Sequence, residues 1–364
     1  IKDYLYSNPD SAFYFAQLIH DLSESNNYLE GISSALKIQG ISFWLKGDHQ
    51  QAKSYYEKSL AFLIKTNNKE GQADIYINIG VVFTVEGNHA KAINYFHKAL
   101  RVFDELGETN KAALCLNNIA SIYHEQEDYD RALGYYRKGY KIFQKINDKK
   151  RLAMSLNNMG ELYKEINNLD SAMFLFNKSL EIKEILGEQH GIGLTVINIA
   201  DIHRVKGDFN LAMLQYNRAL KIFKKLDGKK GLAITYSSIG EVYKEKKDYL
   251  NAIKYGEKAL KLSKEVGVVR EIMNTSYELY FNYKKLYKYS LALKMHEAYL
   301  EMKDSIQSEK NQKEIIRQEF LRLSLADSIK NADLHKINEL KINEQTAIAN
   351  EHKAINDFQK EKLK

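Results

Sequence analysis

The sequence repeats itself every 40 residues. An alanine recurs at this interval without one insertion or deletion, at Ala52, Ala92, Ala132, Ala172, Ala212, Ala252 and Ala292. Twelve residues before these alanines, a second series from Gly40 to Gly240 holds only glycine or alanine. A period of roughly 20–50 residues is typical of chains whose units stack and bury their apolar faces against their neighbours. The chain is therefore predicted to be a solenoid, a fold whose natural function is binding.

The segment 71–110 shows what one unit contains. Its apolar residues recur at helical spacing in two runs. Gly87-Asn88 separates the two runs, and Gly107 follows the second. Glycine and asparagine tolerate the left-handed backbone conformation that ends a helix. Each unit is therefore predicted to be a helical hairpin, made of a first helix A and a second helix B.

Small residues mark the predicted crossing of the two helices. Gly80 on helix A and Ala92 on helix B would let the backbones approach closely. Phe83 and Phe96 would then fill the space around this crossing, because a large ring beside a small residue packs to normal interior density.

These positions resemble the tetratricopeptide repeat. In that motif a small residue follows a large apolar one by four residues, an aromatic comes three later, and helix B carries alanine, an aromatic and another small residue. Two copies that match are Tyr76-Gly80-Phe83-Ala92-Phe96-Ala99 and Tyr236-Gly240-Tyr243-Ala252-Ala259. The unit is about six residues longer than the usual 34, like the long-helix variant of kinesin light chains and bacterial Rap-type regulators. HEAT repeats share the length range but lack this spacing.

The resemblance implies an all-α fold, a right-handed superhelical solenoid of about seven such hairpins with a long C-terminal helix. Residues 1–30 are predicted to supply the second helix of a truncated N-terminal repeat. Residues 311–364 are predicted to form a coiled-coil or signalling helix. The seven hairpins would fill residues 31–310, at 31–70, 71–110, 111–150, 151–190, 191–230, 231–270 and 271–310.

The sequence argues against several functions. It contains no phosphate-binding glycine loop, nucleophile elbow or zinc signature, so we predict neither catalysis, nor a cofactor, nor a metal site. The net charge of +7 is spread through the repeats rather than gathered in one block, which predicts a solvated surface and no nucleic-acid partner. No apolar run reaches the roughly 18 residues of a membrane span. A membrane is therefore expected only through a segment outside this chain.

Three positions of helix A hold the same kind of polar residue in successive units. These positions are three residues apart and therefore lie on one face of the helix. In a superhelix of hairpins this face lines the concave side. The asparagine ladder is Asn78, Asn118, Asn158 and Asn198, with Asn117 and Asn157 one residue earlier in two units. The acidic ladder is Glu161, Asp201 and Glu241, and the basic ladder is His124, Lys164, Arg204 and Lys244. The alternative is that acids and bases only form weak pairs within one helix, worth about 0.2–0.5 kcal/mol each.

The asparagines are the strongest indication of a ligand. An amide side chain can both donate to and accept from a peptide backbone. In kinesin-light-chain-like repeats, asparagines at the matching position of helix A contact the backbone of bound peptide. The resemblance therefore implies that the asparagine ladder binds a peptide or protein in a concave groove. Ile38 and Ser238 depart from the pattern, so we expect the groove to be best formed in the middle four units.

The tail suggests a context for this binding. The segment from Ala326-Asp327-Ser328-Ile329 to Leu340 resembles the charged helix of bacterial receptors, in which repeats precede a membrane span and a histidine kinase, nucleotide cyclase or DNA-binding output. The apolar seam from Ile316 to Leu323 predicts a homodimer through the C-terminal helix; the alternative is that this helix caps the solenoid.

The leading interpretation is therefore a non-catalytic sensor module of a bacterial signalling receptor, with its membrane span and output domain outside this chain. A receptor would place it on the extracytoplasmic, periplasmic side of the inner membrane. The alternatives are a free-standing cytoplasmic regulator of the Rap type and a structural adaptor with no switching role.

Overall fold

The computed structural model describes residues 8–306, and over these residues it consists of α-helices joined by short turns. The helices are α1 Pro9–Ser25, α2 Leu29–Leu45, α3 His49–Lys65, α4 Lys69–Val85, α5 His89–Leu106, α6 Thr109–Glu125, α7 Tyr129–Lys145, α8 Lys149–Glu165, α9 Leu169–Leu186, α10 Gln189–Val205, α11 Phe209–Lys225, α12 Lys229–Glu245, α13 Tyr249–Val266 and α14 Val269–Lys285. A helix α15 begins at residue 289 and continues to residue 306. The predicted helix over 311–364, and the dimer that it would form, lie outside the described residues.

Consecutive helices pack against each other along the chain. The even-numbered helices from α2 to α14 are the A helices of the units, and the odd-numbered helices from α3 onward are the B helices. Helix α1 precedes the first hairpin and packs against α2. The all-helical solenoid predicted from the 40-residue period is confirmed.

The turns recur every 20 residues, alternately within a hairpin and between one hairpin and the next. A residue with positive φ lies at positions 27, 47, 67 and so on to 287. Glycine fills six of these positions, including Gly87 and Gly107, as the sequence predicted. The other eight are Asn27, Asn67, Glu127, Asn147, Asn167, Asp227, Lys247 and Tyr287. Asparagine and aspartate tolerate this conformation locally, whereas Glu127, Lys247 and Tyr287 carry no turn signal of their own.

Capping side chains fix where many of the helices begin. The carboxylate or amide at the N-cap accepts a hydrogen bond from the backbone N–H three residues later, which satisfies a donor that the helix leaves unpaired. Among the B helices these caps are Asp48, Asn88, Asp128, Asn168 and Asp248. Among the A helices, Asn68 and Asp148 cap α4 and α8.

The crossing of the two helices is built as the sequence predicted. All seven alanines of the 40-residue series are buried, with at most 3% of their surface exposed. A methyl group added at Gly80 would lie 2.8 Å from Cε1 of Phe96, and one at Gly160 would lie 2.7 Å from Cε1 of Phe176. The missing side chain on helix A thus makes room for the ring on helix B.

Candidate functional site

The A helices form the inner row of the stack. The A helices from α8 to α14 touch the next A helix along the chain, in addition to their own B helices. Direct contact between successive A helices places them on the tighter, concave side of the solenoid. The three ladders lie on these helices, with their side chains half-buried.

The asparagine ladder has two kinds of member. The Asn198 amide donates to Oε1 of Glu161 at 3.2 Å and accepts from Nζ of Lys164 at 3.1 Å, so both of its ends are held by α8. Asn158 is hydrogen-bonded to Tyr136, a buried phenol whose pKa burial raises to about 12. Within the described part of the chain, the side chains of Asn78 and Asn118 have no hydrogen-bond partner. Two asparagines are therefore fixed in place and two have free amides.

The charged ladders pair between units rather than within a helix. Each cation reaches an acid on the next A helix: Lys164 Nζ lies 3.6 Å from Asp201, Arg204 lies 3.0 Å from Glu241, and Lys244 Nζ lies 2.5 Å from Glu278. The alternative interpretation, in which acids and bases three residues apart pair within one helix, therefore names the wrong partners. Side chains of this length span adjacent helices at normal packing distances, so the three pairs link consecutive units.

The first member of the basic ladder follows the same rule. Nε2 of His124 lies 2.8 Å from a carboxylate oxygen of Glu165 on the next A helix, α8. Sequence reasoning identified the cations but not these partners. Glu165 and Glu245 share a register that is apolar in other units, as at Val85 and Val205, and Glu278 stands in the register of the asparagine ladder. Only the packing of one unit on the next shows which of them face a cation.

Burial and a neighbouring tyrosine affect two acidic side chains of the acidic ladder, Glu241 and Asp201. Burial raises the pKa of Glu241 above its usual range and outweighs the opposite effect of the Arg204 guanidinium. The Tyr216 hydroxyl, from helix α11, donates to Asp201 Oδ1 at 2.6 Å. Burial and this carboxylate together raise the pKa of Tyr216. The hydroxyl therefore remains a donor and holds Asp201 in one orientation.

Asn117 and Asn157 join neighbouring A helices. The amide of Asn117 donates to the Ser155 hydroxyl at 2.9 Å. The amide of Asn157 donates to Glu161 at 2.8 Å, and its carbonyl oxygen lies 3.1 Å from the Thr195 hydroxyl on α10. Both side chains therefore form hydrogen bonds between neighbouring A helices.

Sequence reasoning also missed a buried lysine. Lys183 on α9 is only 5% exposed and donates to the Thr195 hydroxyl at 2.7 Å. It stands in the 40-residue register that elsewhere holds Leu63, Phe103, Phe143 and Phe223. Aligning the repeats at this position would have found it.

Cys115 is fully buried, and burial raises the pKa of its thiol to about 12. Among residues 8–306, no group of three histidine, cysteine, aspartate or glutamate side chains is placed to hold a metal ion. No helix in this range combines the length and apolar character needed to cross a membrane.

The model of the tetratricopeptide repeat family matches residues 71–145, 112–185 and 187–265, which together make up more than half of the chain. No curated protein matches the chain significantly in sequence. Among solved structures, the apo form of RapI superposes with a TM-score of 0.63 at 17% identity, over 80% of each chain.

Two further solved structures are similar in fold. The Rap conjugation gene regulator of plasmid pLS20, solved with the Phr* peptide, has a TM-score of 0.60 at 16% identity, over 79% of this chain and 78% of that one. The apo quorum sensor NprR from B. thuringiensis has a TM-score of 0.60 at 16% identity, over 80% of this chain and 87% of that one. At sequence identities this low, the structural similarity shows a shared fold alone.

Proposed function

Because the chain belongs to the tetratricopeptide repeat family, we propose that its inner face is a non-catalytic binding groove for an extended peptide or protein segment. The asparagine ladder carries this proposal. Asn78 and Asn118 present amides with no partner among the described residues, and an amide can satisfy both the C=O and the N–H of a peptide backbone. Asn158 and Asn198 are held in position by neighbouring side chains, which reduces the ordering that binding would require.

The similar structures favour a peptide-responsive regulator over a receptor module. The regulator of plasmid pLS20 was solved with the Phr* peptide, and NprR is described as a quorum sensor. By analogy of fold, we place this chain with regulators of the Rap type. The receptor interpretation depends on the segment 326–340, which lies outside the described residues, and it stays a prediction.

The test is retention of peptides from a mixed-sequence library, read by mass spectrometry. Asn78→Ala combined with Asn118→Ala should reduce peptide retention about tenfold. Each change removes the neutral hydrogen bonds between one asparagine amide and the peptide backbone, which are worth roughly 0.5–1.5 kcal/mol. The melting temperature should not change, since neither amide bonds to a described residue. Asn94→Ala is the matched control, because Asn94 is exposed on the B helix α5.

The control variant should retain the same peptides as the unmodified protein. Equal retention by the double variant would show that the asparagine ladder does not bind the peptide backbone. Failure of the unmodified protein to retain any peptide would rule out the peptide-binding function.

A further inference from the structure

A pocket between two B helices is separate from the groove. The B helices α13 and α15 and the A helix between them, α14, line it. Its volume is about 340 Å³, at the lower end of the range of roughly 300–1,000 Å³ that is usual for small-molecule sites. On the same helix α14, Glu278 belongs to the inner face, where it pairs with Lys244. The pocket therefore lies on the outer, B-helix side of the stack.

The floor of the pocket is apolar and forms part of the core. Leu260, Leu279 and Tyr283 line the pocket and are buried. Met295 lines it as well, is half-buried and packs against the same core cluster. The fourth aliphatic residue of the lining, Leu291, is 44% exposed. The apolar lining is therefore accessible from solvent.

The pocket adjoins the place of a missing ring. In four other units a tyrosine of helix B stacks on a ring of helix A, with centroids 5.3–5.6 Å apart: Tyr55 on Phe43, Tyr95 on Phe83, Tyr135 on Tyr123, and Tyr255 on Tyr243. Met295 stands in the register of these tyrosines, opposite Tyr283. Among residues 8–306, no ring stacks on Tyr283. The slender methionine side chain thus leaves space in the last unit that a tyrosine takes up in the other four.

Three lysines surround this apolar floor. Lys261 and Lys264 on α13 and Lys294 on α15 line the pocket and are exposed. None of them forms an ion pair with a residue of the described part of the chain. The acid of the lining, Glu257, accepts a hydrogen bond from the Tyr283 hydroxyl at 2.5 Å. Three cations beside one engaged carboxylate give the pocket a net positive charge.

We propose that this pocket binds a small amphipathic anion, in which an apolar chain or ring carries one carboxylate. The apolar part would cover Leu260, Leu279 and Met295, and its removal from water would favour binding. The carboxylate would remain among the lysines, in charge-assisted contacts. A neutral or cationic molecule of the same shape would lack this attraction. The site is distinct from the peptide groove and does not depend on the proposed function.

Octanoate, octanol and octylamine test this proposal, because they share one alkyl chain and differ in charge. In isothermal titration calorimetry, the full chain should bind octanoate about tenfold more tightly than octanol, and octylamine more weakly still. In NMR spectra, octanoate should shift the methyl signal of Met295, which is identified by its loss in Met295→Leu. This shift localises the ligand in the unmodified protein without relying on a variant that must fold.

Two substitutions of Met295 test the shape of the pocket. Met295→Tyr should abolish octanoate binding, because the ring would take up the space as tyrosine does in this register of four other units. Met295→Leu is the matched control. It changes the volume little and should keep octanoate binding.

A second set of variants tests the charge. Replacement of all three lysines, in Lys261→Gln, Lys264→Gln and Lys294→Gln combined, should make the affinities for octanoate and octanol equal. The matched control changes three exposed lysines that stand in the same registers one unit earlier, Lys221, Lys224 and Lys254, to glutamine. This control should keep the preference for octanoate.

Several results would overturn the proposal. Equal affinities of the unmodified protein for octanoate and octanol, or binding of neither, would exclude an anion site. Octanoate binding that leaves the Met295 signal unmoved, or that persists in Met295→Tyr, would place the ligand elsewhere. A Met295 signal that shifts on dilution without ligand would show that a second copy covers the pocket instead. None of these results changes peptide retention by the groove, so failure of this site is distinguishable from failure of the proposed function.

Discussion

The N-terminal units, residues 31–110, and the middle units, residues 151–270, are built on the same packing but present different inner faces. Phe96 in the first region and Phe176 in the second fill equivalent holes beside a glycine. The inner face beside them differs: Val81 stands in the register of the acidic ladder, where the middle units hold residues such as Glu161. Core positions and inner-face positions of one helix can therefore vary independently.

The difference extends to how the units are joined. In the middle region, ion pairs such as Lys164 with Asp201 and Arg204 with Glu241 connect successive A helices. In the first unit the same registers hold Ile41 and Trp44, which pack against the apolar core. A bound peptide would thus meet apolar side chains at one end of the groove and paired charges in the middle.

The largest expected effect tests whether the packing is equal in the two regions. Phe96→Ala and Phe176→Ala should each lower the free energy of unfolding by about 3–5 kcal/mol, because each leaves a cavity where a fully buried ring stood. Chemical denaturation followed by circular dichroism measures both. A loss at one site less than half that at the other would show that the two regions are not packed alike.

An intermediate effect is expected from the ion pairs of the middle region. Arg204→Met removes the partner of Glu241 and Glu245 on a mostly buried face and should cost about 2 kcal/mol, between the values for buried and surface pairs. Arg218→Met is the matched control, because Arg218 pairs with Glu184 where both side chains are nearly half-exposed. The control should cost at most about 1 kcal/mol. Thermal denaturation of both variants at low and high salt measures these costs. Equal losses of stability in Arg204→Met and Arg218→Met would contradict the ranking.

The smallest effect concerns how an A helix begins. Asp148 caps α8 by accepting from the Arg151 N–H at 3.0 Å. Partial burial raises the pKa of Asp148, but the backbone N–H and guanidinium of Arg151 outweigh it and hold the pKa below its usual range. A lowered pKa means that this stabilisation is present above about pH 4 and is lost as the pH falls through the folded-state pKa.

Asp148→Ala should therefore cost about 1 kcal/mol at pH 7, and the difference should shrink below pH 4. Stability measured across this range by urea denaturation checks the sign. Glu108→Ala is the control, because Glu108 precedes α6 without a side-chain cap, and it should change stability less. A cost for Asp148→Ala that grows on acidification would contradict the assignment.

Residues that repeat in the sequence were predictable, and residues that depend on a neighbouring unit were not. Ala172, Gly160 and Phe176 pack within one hairpin, so a period and a helical spacing are enough to place them. Glu278 became the partner of Lys244 only through the rotation of one A helix against the next. The left-handed turn at Tyr287 likewise follows from the packing of the flanking helices, since tyrosine does not favour that conformation.

By itself, the sequence determined that this chain is a stack of helical hairpins, which residues form each crossing, and which helix face carries the polar ladders. These properties follow from local periodicity, because each hairpin repeats the same short-range contacts. Only the tertiary structure decided that the charges are paired between units and that, among residues 8–306, Asn78 and Asn118 keep free amides and Lys183 is buried without a counter-charge. These properties depend on side chains that belong to different repeat units, and their distances are set by how one unit packs against the next.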